Sequence, residues 1–104
     1  MMTYPNNGWT ALAEPMRRAI LERLVEQPCS VGDIASALPI SRPAVSQHLK
    51  VLKQVGLVVD TPAGKHRIYR IDPAGLEALR AELDSFWSKT LAAYKAAVEK
   101  PPET

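Results

Sequence analysis

Cysteine is nearly absent from the 104 residues: Cys29 stands alone, so no internal disulfide can staple the fold, and a lone thiol fits a reducing compartment. Long apolar runs are missing too. The longest uncharged stretch, residues 1 to 13, contains Pro5, Asn6, Asn7 and Gly8. It therefore lacks both the roughly 20 apolar residues of a membrane span and the basic start and apolar middle of a signal peptide, and a soluble, cytoplasmic protein is expected. The five glycines, Gly8, Gly32, Gly56, Gly64 and Gly75, form no phosphate-binding loop. His48 and His66 stand beside no Ser, Cys or carboxylate pair of a recognisable nucleophile motif, so no enzyme and no catalytic residue is expected. Cys29, His48 and His66 fall on three different elements and make a poor ligand set, so neither a metal nor another cofactor is expected. No internal repeat or low-complexity tract is present.

What is there suits one folded unit. Hydrophobic residues at 46% and charged residues at 23% sit close to the globular average, and the length allows a single domain over 1–104 with loose tails at 1–8 and 101–104. The net charge of +2 conceals an uneven distribution. Residues 1 to 40 hold three basic and four acidic side chains, residues 41 to 70 six and one, and residues 71 to 104 four and six. A basic middle between acidic flanks points to a localised anionic partner such as a nucleic-acid backbone.

Start and stop signals divide the chain into five helices and a hairpin. Residues 9 to 13 read as a short helix ending before Pro15, which opens a second helix with Met16, Ile20, Leu21, Leu24 and Val25 on one face, stopped by Pro28. Val31, Ile34, Ala35 and Leu38 form a third helix ending at Pro39. Ser41 caps a fourth, in which Val45, Leu49 and Leu52 face inward until Gly56 ends it. Residues 57 to 60 and 67 to 71 read as two strands, with Thr61, Pro62, Ala63 and Gly64 between them. Asp72 and Pro73 then open a last helix over 73–100.

At 1.5 Å per residue this last helix spans roughly 40 Å, longer than the body of a small domain. Its apolar positions Leu76, Leu79, Leu83, Phe86, Trp87, Leu91, Tyr94 and Val98 alternate in threes and fours and include three of the six aromatics. A stripe that outruns its own domain packs most simply on a second copy, which makes Leu76, Leu83, Phe86, Trp87, Leu91, Tyr94 and Val98, with Trp9 of the first helix, the expected dimer interface.

Two short helices joined by Leu38, Pro39, Ile40 and Ser41 fit a helix-turn-helix, with the hairpin as a wing. The fold class expected is thus mainly α with a two-stranded β-hairpin: a winged helix-turn-helix, dimeric through its terminal helices. With Val45, Leu49 and Leu52 inward, the fourth helix turns Pro43, Ser46, Gln47, Lys50 and Gln54 outward, with Arg42 and Lys53 at one margin and His48 at the other. That face is free of acids. Gln47 suits adenine, Arg42 guanine or a phosphate, Ser46 either kind of group, and Lys50 a phosphate or base edge. Lys65, His66 and Arg67 at the wing tip suit a phosphate backbone or the minor groove. The expected DNA-binding set is Ser41, Arg42, Pro43, Ser46, Gln47, Lys50, Lys65, His66 and Arg67.

The segments ALAEPMRRAILERL from Ala11, SRPAVSQHLKVLKQVGLV from Ser41 and GKHRIYRID from Gly64 resemble the ArsR family of bacterial winged-helix repressors over about residues 9 to 100. The resemblance implies a homodimer built from the first and last helices, addressing the two halves of a palindromic operator in double-stranded DNA. It puts Arg42, Ser46, Gln47 and Lys50 on the recognition helix and Lys65 and Arg67 on the wing. Members that sense soft metals carry Cys-Val-Cys-Asp at the start of the third helix; here Ser30, Val31, Gly32 and Asp33 stand there. The zinc-sensing branch uses histidines on its last helix, and residues 73 to 100 contain none. A metal-independent repressor is the reading this supports, its effector unknown. The alternatives are a small-molecule-gated or redox-gated repressor of the same family, and a winged-helix module that binds protein instead of DNA.

Overall fold

The computed structural model describes residues 7 to 100. Five helices, α1 (Gly8–Leu12), α2 (Pro15–Glu26), α3 (Val31–Ala37), α4 (Arg42–Gln54) and α5 (Pro73–Glu99), surround one antiparallel hairpin of β1 (Val58–Ala63) and β2 (His66–Ile71). Among the described residues no helix is long and apolar enough to cross a membrane.

Each helix starts where a side chain satisfies free backbone N–H groups. Asn7 accepts from the Trp9 N–H at 2.7 Å, Glu14 from Arg17 at 3.1 Å, and Asp72 from Ala74 at 3.1 Å. Ser30 and Asp33 cap α3 reciprocally, and the Ser41 hydroxyl accepts from the Ala44 N–H at 3.3 Å. Pro15, Pro43 and Pro73 occupy first-turn positions, where a missing N–H costs nothing. Ile20, Leu21 and Leu24 of α2, Ile34 of α3, and Val45, Leu49 and Leu52 of α4 close over Leu57, Val58 and Cys29 as one core. Leu38 and Ile40 in the turn between α3 and α4 are half-buried against it.

Two backbone contacts set the outer elements. Cys29 N–H donates to the Tyr69 carbonyl at 3.0 Å and Tyr69 N–H to the Cys29 carbonyl at 2.8 Å, which ties the wing to the chain entering α3. At the other end of the hairpin the first turn of α5 lies directly on the turn after α4. A β-carbon on Gly75 would fall 1.7 Å from the Gly56 carbonyl oxygen, so only glycine permits this approach. Leu76 and Leu79 then pack on the core, after which α5 leaves the body. The radius of gyration, 18.3 Å, exceeds the roughly 13 Å of a compact chain of this size because of that projection.

The helices lie where the sequence signals put them, and the differences are local. Val25, expected on the inward face of α2, is 70% exposed: Leu24 of the same turn enters the core, and Val25 lies at the stripe's edge beside an open groove. The hairpin extends further than expected: Thr61, Pro62 and Ala63 are strand residues paired with Ile68, Arg67 and His66. Its turn is Gly64–Lys65, with φ +63° at Gly64 and no positive φ at Lys65, the glycine-first pattern of a type II′ turn. Pro62 is tolerated because the strand is at a sheet edge. Asn7 and Gly8, expected in the loose start, cap and begin α1. The loose-tail expectation for 1–6 and 101–104 lies outside the described residues.

Candidate nucleic-acid interface

The site is built on the two helices α3 and α4 and on the wing. Burial of Val45, Leu49 and Leu52 fixes the rotation of α4, and the opposite face follows: Ser41, Arg42, Pro43, Ser46, Gln47, Lys50, Lys53 and Gln54 are all exposed. His48 is turned away from this face. Its Nδ1 lies 3.5 Å from Arg17 Nη1 and its Nε2 3.7 Å from the Glu14 carboxylate, so it links α4 to the start of α2.

Lys65, His66 and Arg67 are exposed at the wing tip, as expected. The structure brings two of the cations to a partner that the sequence reading missed. The Asp60 side chain, only 4% exposed, takes the Lys53 ammonium at 2.8 Å and the Arg67 guanidinium. The Lys53 hydrogen bond first, and the Arg67 one second, hold the Asp60 carboxyl below its ordinary pKa, while the guanidinium is held above its own. Asp60 thereby clips the end of α4 to the returning strand through Lys53 and Arg67. Asp60 is the single acid of the basic third, and that isolation was the available signal.

Arg42 also departs from the simple wheel. Its guanidinium lies back over α3, where a β-carbon on Gly32 would sit 3.1 Å from Nη2. It therefore stands with Lys65, His66 and Arg67 around one cleft, apart from Ser46, Gln47 and Lys50. Gly32, a poor helix former in the first turn of α3, is the second residue the sequence reading passed over.

Cys29 is buried, 1% exposed, and its thiol donates to the Gln27 carbonyl at 3.3 Å. Among the described residues no group of three or more His, Cys, Asp or Glu side chains is arranged to hold a metal ion. On the opposite side of the molecule Trp9, 38% exposed, meets Phe86 edge to face at 5.9 Å, and Phe86 meets Trp87 at 5.5 Å. Of the expected interface residues, Leu76 is half-buried on the chain's own core, and the exposed stripe runs from Leu83 through Phe86, Trp87, Leu91 and Tyr94 to Val98.

A helix-turn-helix with an acid-free outer face and a basic wing defines a winged-helix DNA-binding protein. The family model described as "Bacterial regulatory protein, arsR family" matches residues 14 to 59. The chain is 54% identical over 101 residues, 95% of its length and 94% of the relative's, to the HTH-type transcriptional regulator Rv2034 of Mycobacterium tuberculosis. It is 36% identical over 72 residues, 69% of its length and 80% of the relative's, to the transcriptional repressor SdpR of Bacillus subtilis. The crystal structure of a possible transcriptional regulator for arsenical resistance superposes with a TM-score of 0.73 at 39% identity, covering 88% of this chain and 97% of that one. The protein belongs to the arsR family of bacterial regulatory proteins, DNA-binding transcriptional regulators that are not enzymes.

Proposed function

We propose that the protein is a homodimeric, metal-independent repressor that reads a palindromic operator in the cytoplasm. The observation that carries this is the outer face of α4: Ser41, Pro43, Ser46, Gln47 and Lys50 are exposed in a row without an acid and lie beside a wing bearing Lys65 and His66. Gln47 and Ser46 read base edges in the major groove, and Lys50, Lys65 and His66 hold phosphates. The exposed apolar stripe of α5 supports the dimer, because the single chain leaves six large side chains from Leu83 to Val98 between 36% and 67% exposed. Metal independence is supported by Ser30 and Gly32, which supply no thiolate, and by the absence of histidine from residues 73 to 100.

Selection of bound duplexes from a random pool tests the reading. A palindromic consensus with half-site centres roughly 10 base pairs, or a small multiple, apart is expected. Gln47→Ala is expected to cost about 1–3 kcal/mol and to relax the preference at one position of each half-site. Equal affinity for selected and scrambled duplexes would remove sequence-specific readout, and no affinity at low salt would favour a protein-binding module.

A further inference from the structure

The cleft between α3, the start of α4 and the wing has an unusual wall. Ser30, Gly32 and Arg42 form one side, and Lys65, His66 and Arg67 the other, around a cavity of about 230 Å³. No carboxylate is among its lining residues. Of the two nearby acids, Asp33 accepts from the Ser30 N–H at 3.3 Å, and Asp60 holds the wall residue Arg67 together with Lys53, which leaves Arg42 and Lys65 as the cleft's cations for a ligand. The Arg42 guanidinium enters this cleft across the face of Gly32. A β-carbon there would stand 3.1 Å from Arg42 Nη2 and 3.3 Å from Cζ, so an alanine would push the guanidinium away from α3 by a few tenths of an ångström.

We propose that this cleft is a phosphate site that grips one DNA backbone phosphate between Arg42 and the wing, and that Gly32 is the positioning residue that aims Arg42 into it. Arg42 then contributes register and affinity, and base selection falls to Ser46 and Gln47, which lie a turn further along α4. The chemistry suits the assignment. A guanidinium offers two parallel N–H donors to a phosphate, and Lys65 adds a flexible point charge from the opposite wall. A site walled by both the helix-turn-helix and the wing also fixes how the two sit across the backbone, which an isolated surface cation cannot do.

The proposal rests on the DNA-binding reading above, and the experiment separates the two. The full chain is titrated with a selected duplex and a scrambled one of equal length from about 50 to 200 mM salt. Arg42→Ala is expected to weaken both duplexes alike, roughly fivefold per site near 0.15 M salt, and to lower the log–log salt slope by about 0.9 per site. The selected consensus stays as it is. Gly32→Ala is expected to act in the same direction and by less, without lowering the melting temperature, since alanine is the better helix former. A changed base preference or an unaltered salt slope in Arg42→Ala overturns the phosphate assignment and makes Arg42 a base reader. Gly32→Ala binding like the parent protein overturns the positioning role. If the unmodified chain has no affinity for either duplex, the DNA-binding reading fails and the cleft loses its ligand with it.

Discussion

Trp87 is the sharpest probe of what covers α5. Trp87 is 50% exposed, and its ring meets that of Phe86, itself 52% exposed, edge to face. A tryptophan buries up to about 250 Å², so about 125 Å² remains for a partner, and at about 25 cal/mol per Å² its removal from water is worth about 3 kcal/mol. A two-fold interface counts each residue twice, giving about 6 kcal/mol per dimer as an upper bound, since ordering costs reduce what appears as affinity. Even half of that raises the dimer Kd for Trp87→Ala by more than about a hundredfold. The single chain also loses the half of the ring it already covers, up to about 3 kcal/mol, which is independent of protein concentration and so separable from the dimer term. Sedimentation equilibrium gives the dimer constant, and melting at several protein concentrations shows whether stability follows mass action. A single 11.4 kDa species of the parent protein at micromolar concentration would refute the reasoning. So would a Trp87→Ala variant with an unchanged dimer constant and the full loss in unfolding free energy, because the stripe would then be core.

Gly75→Ala is expected to lower the urea midpoint by the equivalent of about 1–3 kcal/mol or more, because its methyl would meet the Gly56 carbonyl and α5 must lift from the turn. An unshifted midpoint would show that the first turn of α5 moves freely. Chelator is expected to leave DNA affinity unchanged; zinc or arsenite that binds below about micromolar Kd and releases DNA would revive a metal-sensing mechanism. Asp60→Asn is expected to cost about 1 kcal/mol at neutral pH, a surface-pair magnitude because Lys53 and Arg67 are each more than half exposed. Its carboxyl is held low in the fold, so this contribution is present above the unfolded value of about 3.9 and disappears as pH falls through the folded one. Parent and variant should converge in acid melts, and a gap that persists at low pH would assign the effect to packing.

The fold was legible because its signals are local and mutually consistent. Ser30, Ser41 and Asp72 sit at helix starts with a proline or a reciprocal acid behind them, and the 3.6-residue spacing of Val45, Leu49 and Leu52 fixes one rotation of α4. What escaped depends on how much of an element its neighbours cover. Val25 has the four-residue spacing from Leu21, yet Leu24 in the same turn is buried while Val25 faces the open groove beside Ile71, Pro73 and Leu76, so it lies at the edge of the apolar stripe, and periodicity does not say how wide a stripe the neighbours cover. The hairpin is longer than the turn signals imply. Pro62 and Gly64 both read as turn residues, yet an edge strand tolerates the proline, and only the glycine is at the reversal.

The site was legible in proportion to side-chain length. A helical wheel places a Cα on a face, and for Ser46 or Gln47 the functional atoms stay near that position, so both are exposed on the outer face where the spacing put them. Arginine and lysine carry their charge several bonds further, and the neighbouring element decides which way it leans. Arg42 stands at one margin of the outer face by sequence, and its guanidinium leans onto α3 over Gly32. Arg67 belongs to the wing tip by sequence, yet Asp60, on the strand opposite, draws its guanidinium back toward Lys53 at the end of α4. Both redirections depend on one residue from another element, a small one in the first case and an acidic one in the second. Reading a basic face therefore requires asking, for each long cation, which glycine or carboxylate the fold brings within its reach. In this chain that question separates Ser46 and Gln47, which stay on the outer face, from Arg42 and Arg67, whose charges lean onto α3 and Asp60.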